Sequence, residues 1–182
     1  MAYLTGRDTR EQRLHEVTMA LAGEMLALGG LVPDVVTGRA RAEAALADGR
    51  AAEVFGCMVS ALGGPNDLLD HAGRYLSQAP VIKACTAERS GHVVGMDARQ
   101  VGIAVVALGG GRAHADDAID PSVGLSEVTD VGVPIRAGNP LCIVHAASEA
   151  DADAAIALVR QAIRIGDAPA ASRPVVMDRI VQ

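Results

Sequence analysis

The spacing of hydrophobic residues changes period once along this chain, and that change limits the folds open to it. Up to residue 76 apolar side chains recur at three- and four-residue intervals, whereas beyond Pro80 they fall in short β-branched runs. The first spacing buries one stripe of a helix; the second, bounded by Gly and Pro, suits strands. Leu14, Val17, Leu21, Met25 and Leu28 form one such stripe, with Thr9 and Gln12 spaced as a capping box and Gly29-Gly30 as the stop. Further helices are expected over Val35–Ala47, from Arg50 with Val54, Met58 and Leu62 on one face, and from an Asn66 cap to Tyr75. Residues 1–79 therefore read as a helical segment.

Strands are expected over 81–87 and 92–96, joined tightly through Ser90-Gly91, and Asp97 with Gln100 three residues later marks a helix start. The valine-rich run 101–108 suits a strand, but Val101, Ala104, Val105 and Leu108 keep helical spacing and three glycines follow, so a helix is the expectation. Short apolar runs lie near Val123 and over 131–134. A strand is expected over 141–146, after the turn residues 137–140. Ser148 opens a last helix, with Ile156, Val159 and Ile163 on one face before Gly166, and a final strand is expected over 175–181. Residues 80–182 thus read as an α+β domain, with the boundary near 77–80.

Composition excludes several functions. The net charge is −6, the fifteen arginines are scattered, Lys83 is the only lysine, and aromatic residues make up 2% of the chain. A nucleic-acid reader needs a dense cationic face and bases to stack on, so no nucleic-acid partner is expected. No apolar run approaches the ~20 residues of a membrane span, and Met1–Asp8 has no export signal; the chain reads as cytoplasmic. Cys57, Cys85 and Cys142 have no metal-type spacing and apolar neighbours, as expected of reduced, buried thiols.

The candidate site is the loop opened by Gly109, Gly110, Gly111 and Arg112 and carrying Asp116, Asp117 and Asp120. It can be a plain helix stop, or a mobile segment whose charges close over a ligand or dock another domain. Freed backbone N–H groups cradle anions and Arg binds them in pairs, yet neither a dinucleotide fingerprint nor a Walker motif is present. His15, His71, His92, His114 and His145 fall in different elements, and only His114 has close acidic neighbours, so neither metal nor cofactor is expected. Neither Ser60 nor Ser90 sits in a nucleophile elbow. The strand-turn-strand around Gly132–Leu141 is similar to carrier domains, but Lys83 lies in an expected strand rather than at a hairpin tip.

Four blocks carry a more specific resemblance: Ala87-Glu-Arg-Ser-Gly-His92, the stretch Met96–Arg112, Asp117-Ala-Ile-Asp-Pro-Ser-Val-Gly124, and Gly138-Asn-Pro-Leu-Cys-Ile-Val-His145. In order and spacing they resemble the C-terminal part of the thymidine and pyrimidine-nucleoside phosphorylase family, and Leu14–Met25 through Gly64-Pro65 extends the likeness over nearly all the chain. The resemblance implies a two-lobed, usually homodimeric enzyme that splits pyrimidine deoxynucleosides with phosphate into base and deoxyribose 1-phosphate. It also implies an α/β-hammerhead-like C-terminal domain, with the Gly109–Asp120 loop where lobe closure is sensed. The family's Lys-His/Ser-Ser-Thr-Gly-Gly phosphate segment and its base-holding Arg, Ser and Lys are not found in these residues. No catalytic or phosphate-binding residue is therefore assigned, and the chain reads as a C-terminal fragment or truncated homologue. The alternative is a non-catalytic hammerhead or carrier-like module that docks a partner through its Gly-Arg loop.

Overall fold

A computed structural model of the chain describes residues 1–6, 10–171 and 174–180. The chain separates into two compact units, Met1–Tyr75 with Arg173–Gln182, and Leu76–Ser172. The first unit contains α1 (Ala2–Thr5), α2 (Gln12–Leu28), α3 (Val35–Ala47), α4 (Arg50–Ala61) and α5 (Leu68–Tyr75). Thr9, the expected first cap, lies outside the described residues. Glu11 caps α2 instead, its carboxylate accepting from the N–H groups of Arg13 at 2.7 Å and Leu14 at 2.5 Å. Asp34 caps α3 through the Thr37 N–H at 2.8 Å. Asn66 was expected to cap α5, but its side chain accepts from the Ser60 hydroxyl at 2.6 Å, and α5 is kinked at His71.

Helices α2 and α3 cross where Gly23 meets Gly38, so close that a Cβ on Gly38 would lie 2.6 Å from the Gly23 carbonyl oxygen. Arg39 clamps the crossing, binding both carboxylate oxygens of Glu16 at 2.9 and 2.7 Å and Glu43 at 3.0 Å. Little side-chain volume is enclosed: Met19 and Leu46 are the buried hydrophobic residues of α1–α5, while Leu21, Met25, Val36, Val54 and Leu62 are exposed. Cys57 on α4 is exposed too, contrary to the expectation that every thiol is buried.

The second unit is mixed α+β, with two three-stranded antiparallel sheets. One has the order β1 (Val81–Thr86), β5 (Pro140–Ala146), β3 (Gly124–Ser126); the other has β4 (Pro134–Ile135), β2 (Gly91–Met96), β6 (Ile163–Gly166). The tight Ser90-Gly91 link therefore does not make a hairpin, because β1 and β2 enter different sheets. Helix α6 (Ala98–Val105) forms where the spacing predicts it, capped by Asp97, which accepts from the N–H groups of Arg99 at 3.0 Å and Gln100 at 3.1 Å. Helix α7 (Glu149–Ala162) opens at Ser148 and presents Ala152, Ala155, Ile156, Val159 and Ala162 to the core.

Two expectations fail at the C-terminal end. The helix read as reaching Gly166 stops at Ala162, because the alternating Ile163-Arg-Ile pairs with β2 and strand pairing overrides helical spacing. The strand expected over 175–181 does not form over 174–180: Val175 and Val176 find no strand to pair with, and Arg179 instead forms an ion pair with Glu24. The core joins both sheets and two helices; Cys85, Val93, Ala104, Cys142, Val144 and Val159 have no solvent exposure. No helix among the described residues is long and apolar enough to cross a membrane.

Candidate functional site

The glycine loop grows out of α6. After Val105 the helix widens into a π-turn over Val106–Gly110, and Gly109 leaves it in the left-handed region at φ 92°. Widened turns of this kind often mark functional segments. Each glycine has its own reason. Gly109 supplies the positive φ; a Cβ on Gly110 would lie 3.0 Å from the Val105 side chain and 3.3 Å from the Val123 carbonyl; one on Gly111 would lie 2.8 Å from the Val106 side chain. The run therefore brings the chain back against its own helix, which a helix stop alone does not require.

The acidic residues divide by role. Asp117 accepts from the N–H groups of Ala113 at 2.9 Å and His114 at 2.8 Å, tying the start of the loop back to its middle. Asp120 accepts from the Ser122 N–H at 2.8 Å and hydroxyl at 2.6 Å, while its own N–H donates to the Gly109 carbonyl at 2.9 Å, fastening the loop's two ends together. Those donors, the hydroxyl above all, hold the Asp120 carboxyl below its ordinary range. Arg112 and Asp116 are exposed. Asp117 and Asp120 thus shape the loop, and Arg112 with Asp116 is what it offers to solvent.

The other candidates are scattered. His114 Nδ1 lies 3.6 Å from Asp117, an ion pair only when the imidazole is protonated. No group of three potential metal ligands comes together among the described residues. Lys83 sits on β1 and reaches Asp153 at 2.6 Å and Glu149 at 3.1 Å on α7. His145 is half-buried on β5, bonded through Nε2 to the Ser126 hydroxyl at 2.8 Å. The sequence places His145 on an expected strand but not beside Ser126, since the pairing of β3 with β5 decides that. Nor does it show the left-handed backbone of Glu127, at φ 52°.

A family model described as the pyrimidine nucleoside phosphorylase C-terminal domain matches residues 92–166. Residues 92–166 are similar to that domain family. The matched segment opens at His92 and closes at Gly166, which face each other across β2 and β6, so it closes on itself as one hydrogen-bonded unit. The glycine loop lies wholly inside it, and β1 lies before it. A thymidine phosphorylase of Burkholderia cenocepacia (strain HI2424) is 51% identical over 165 residues, which are 91% of this chain and 37% of that protein. One of Mesorhizobium japonicum is 47% identical over 179 residues, 98% of this chain and 40% of that protein. The chain spans about two fifths of the length of these curated relatives.

Proposed function

We propose that this chain is the C-terminal portion of a cytoplasmic, homodimeric thymidine phosphorylase, which with phosphate converts pyrimidine deoxynucleosides to free base and deoxyribose 1-phosphate. The observation that carries this reading is the 51% identity to a protein named thymidine phosphorylase, sustained over 91% of the chain. The 182 residues include a single lysine, Lys83 on β1, paired with two carboxylates of α7, and none of the family's phosphate segment. The contribution of these residues to catalysis is then indirect. The loop from Gly109 to Asp120 presents Arg112 to the rest of the enzyme, where a guanidinium meets a carboxylate or a row of carbonyls when the lobes close.

Two assays test this. The 182-residue chain alone, given thymidine and phosphate, is expected to release no base, because phosphorolysis depends on positioned anion and leaving-group contacts. Turnover that disappears on mutating a residue of this chain would overturn the fragment reading. Exchanged for the matching segment of the Burkholderia enzyme, the chain is expected to preserve phosphorolysis. In that hybrid Arg112→Ala is expected to lower kcat/KM by roughly ten- to a hundredfold, the cost of imperfect positioning; unchanged kinetics would remove the closure role from Arg112.

A further inference from the structure

Cys85 on β1 and Cys142 on β5 stand directly opposite each other in the antiparallel register, and neither has any solvent exposure. Opposed residues of an antiparallel pair have Cα atoms about 4.5–5.5 Å apart, within the span a disulfide bridges. The two thiols are register partners, and the Cys85 thiol donates to the Ile156 carbonyl of α7 at 3.8 Å. Arg160 stands beside them, held by the Thr86 carbonyl at 3.1 Å, the Thr86 hydroxyl at 3.3 Å and Glu88 at 3.2 Å. The environment separates the two sulfurs. The hydrogen bond from Cys142, aided by the Arg160 guanidinium, draws the Cys85 thiol below its ordinary value, while the same contact and burial push Cys142 up. One sulfur is thus the better nucleophile, and the other waits as a thiol.

Access follows from the sheet order. β1 is an edge strand, and its register with β5 shifts immediately after Cys85, where Thr86 comes to face Pro140. Access to Cys85 would come by local opening of this edge, where Thr86 and Ala87 bond to Arg160 and Asn139. We propose that Cys85 and Cys142 are a redox dithiol that closes reversibly into a cross-strand disulfide, with hydrogen peroxide as the oxidant. The Cys85 thiolate attacks one peroxide oxygen, the O–O bond breaks, hydroxide leaves, and Cys85 becomes a sulfenic acid. The Cys142 sulfur then attacks the Cys85 sulfur; the S–O bond breaks, and the hydroxyl leaves with the Cys142 proton as water. Two thiols and one peroxide give one disulfide and two waters, and a dithiol reductant reverses the change.

The test uses the full chain carrying Cys57→Ser, which removes the exposed thiol and leaves this pair. The native protein is treated with hydrogen peroxide, alkylated in denaturant and weighed. The expected product is lighter by two hydrogens, takes up no alkylating agent, and yields a linked peptide containing Cys85 and Cys142 that dithiothreitol separates. Full alkylation of both cysteines after peroxide, or a disulfide joining two chains, would overturn the proposal. In Cys142→Ala the resolving sulfur is gone, and dimedone is expected to label Cys85. Absence of that label in a folded variant would also count against the proposal, while the mass measurement on the chain with both cysteines decides the matter if the variant does not fold.

Discussion

Asp120 is partly exposed, both of its acceptor contacts go to Ser122, and its N–H closes the loop onto Gly109. Its carboxyl is held below the unfolded value of about 3.9. A depressed carboxyl stabilises the folded loop above the unfolded pKa, and that contribution is lost as pH falls through the lower folded value. Amide exchange over Gly109–Asp120, corrected for its intrinsic rate, is therefore expected to stay level from neutral pH to about 4 and to rise below it. Asp120→Asn should flatten that acid limb. Ser148 offers a second single-residue measurement. Its hydroxyl donates to the Asp151 carboxylate at 2.6 Å and accepts from the Asp151 N–H at 3.2 Å at the start of α7. Ser148→Ala is expected to cost about 1 kcal/mol, read as a lower Tm.

At the level of elements, the crossing of α2 and α3 tolerates no side chain at its centre. Gly38→Ala would drive a methyl group into the Gly23 backbone, which cannot rotate away. A loss of about 1–3 kcal/mol is expected, measurable by urea denaturation followed at 222 nm. Gly49→Ala makes a different comparison, since that position has open space and only its φ of 88° objects. Helices α2, α3, α4, α6 and the start of α7 were legible because their spacing and caps are local properties of the sequence. The sheets were not. Which strand lies beside β2 depends on residues far away in the chain, so the tight Ser90-Gly91 link reads as a hairpin although β2 pairs with β4 and β6. The same limit hides β6 behind the hydrophobic face of α7, and it hides Ser126 from His145. The glycine loop was legible as a unit, but the division of its acids into scaffold and solvent-facing groups needed the fold.

On the scale of the whole molecule, the two units differ sharply in what they bury. The hydrophobic core from Cys85 to Ile163 lies wholly in Leu76–Ser172, whereas α1–α5 enclose little beyond Met19 and Leu46. Burial of apolar surface is the main favourable term in folding, so the helical unit is expected to open first. Brief trypsin treatment should cut at its arginines and leave a resistant fragment beginning near Tyr75. Equal digestion of both halves would mean that the two share a single cooperative core. The exposed Leu21, Met25, Val36, Val54 and Leu62 also make self-association of the 182-residue chain the expected result in sedimentation, consistent with the homodimer proposed for the complete enzyme.

The sheet order sets a timetable for the nascent chain. Val81 must wait for Ala146, and Met96 for Ile163, before either finds its strand partner. On the ribosome, β1 and β2 emerge with no edge to pair with, while the helices ahead of them have every local contact they need. The first sheet is complete once β5 has emerged, but the second cannot close until the end of β6 has left the exit tunnel. Long-range antiparallel pairing of this kind is slow, on the order of milliseconds to seconds. A stop codon placed a few residues before Ile163 would thus leave one sheet without an edge strand, and the shortened product is expected to go to proteases rather than accumulate as a smaller stable protein.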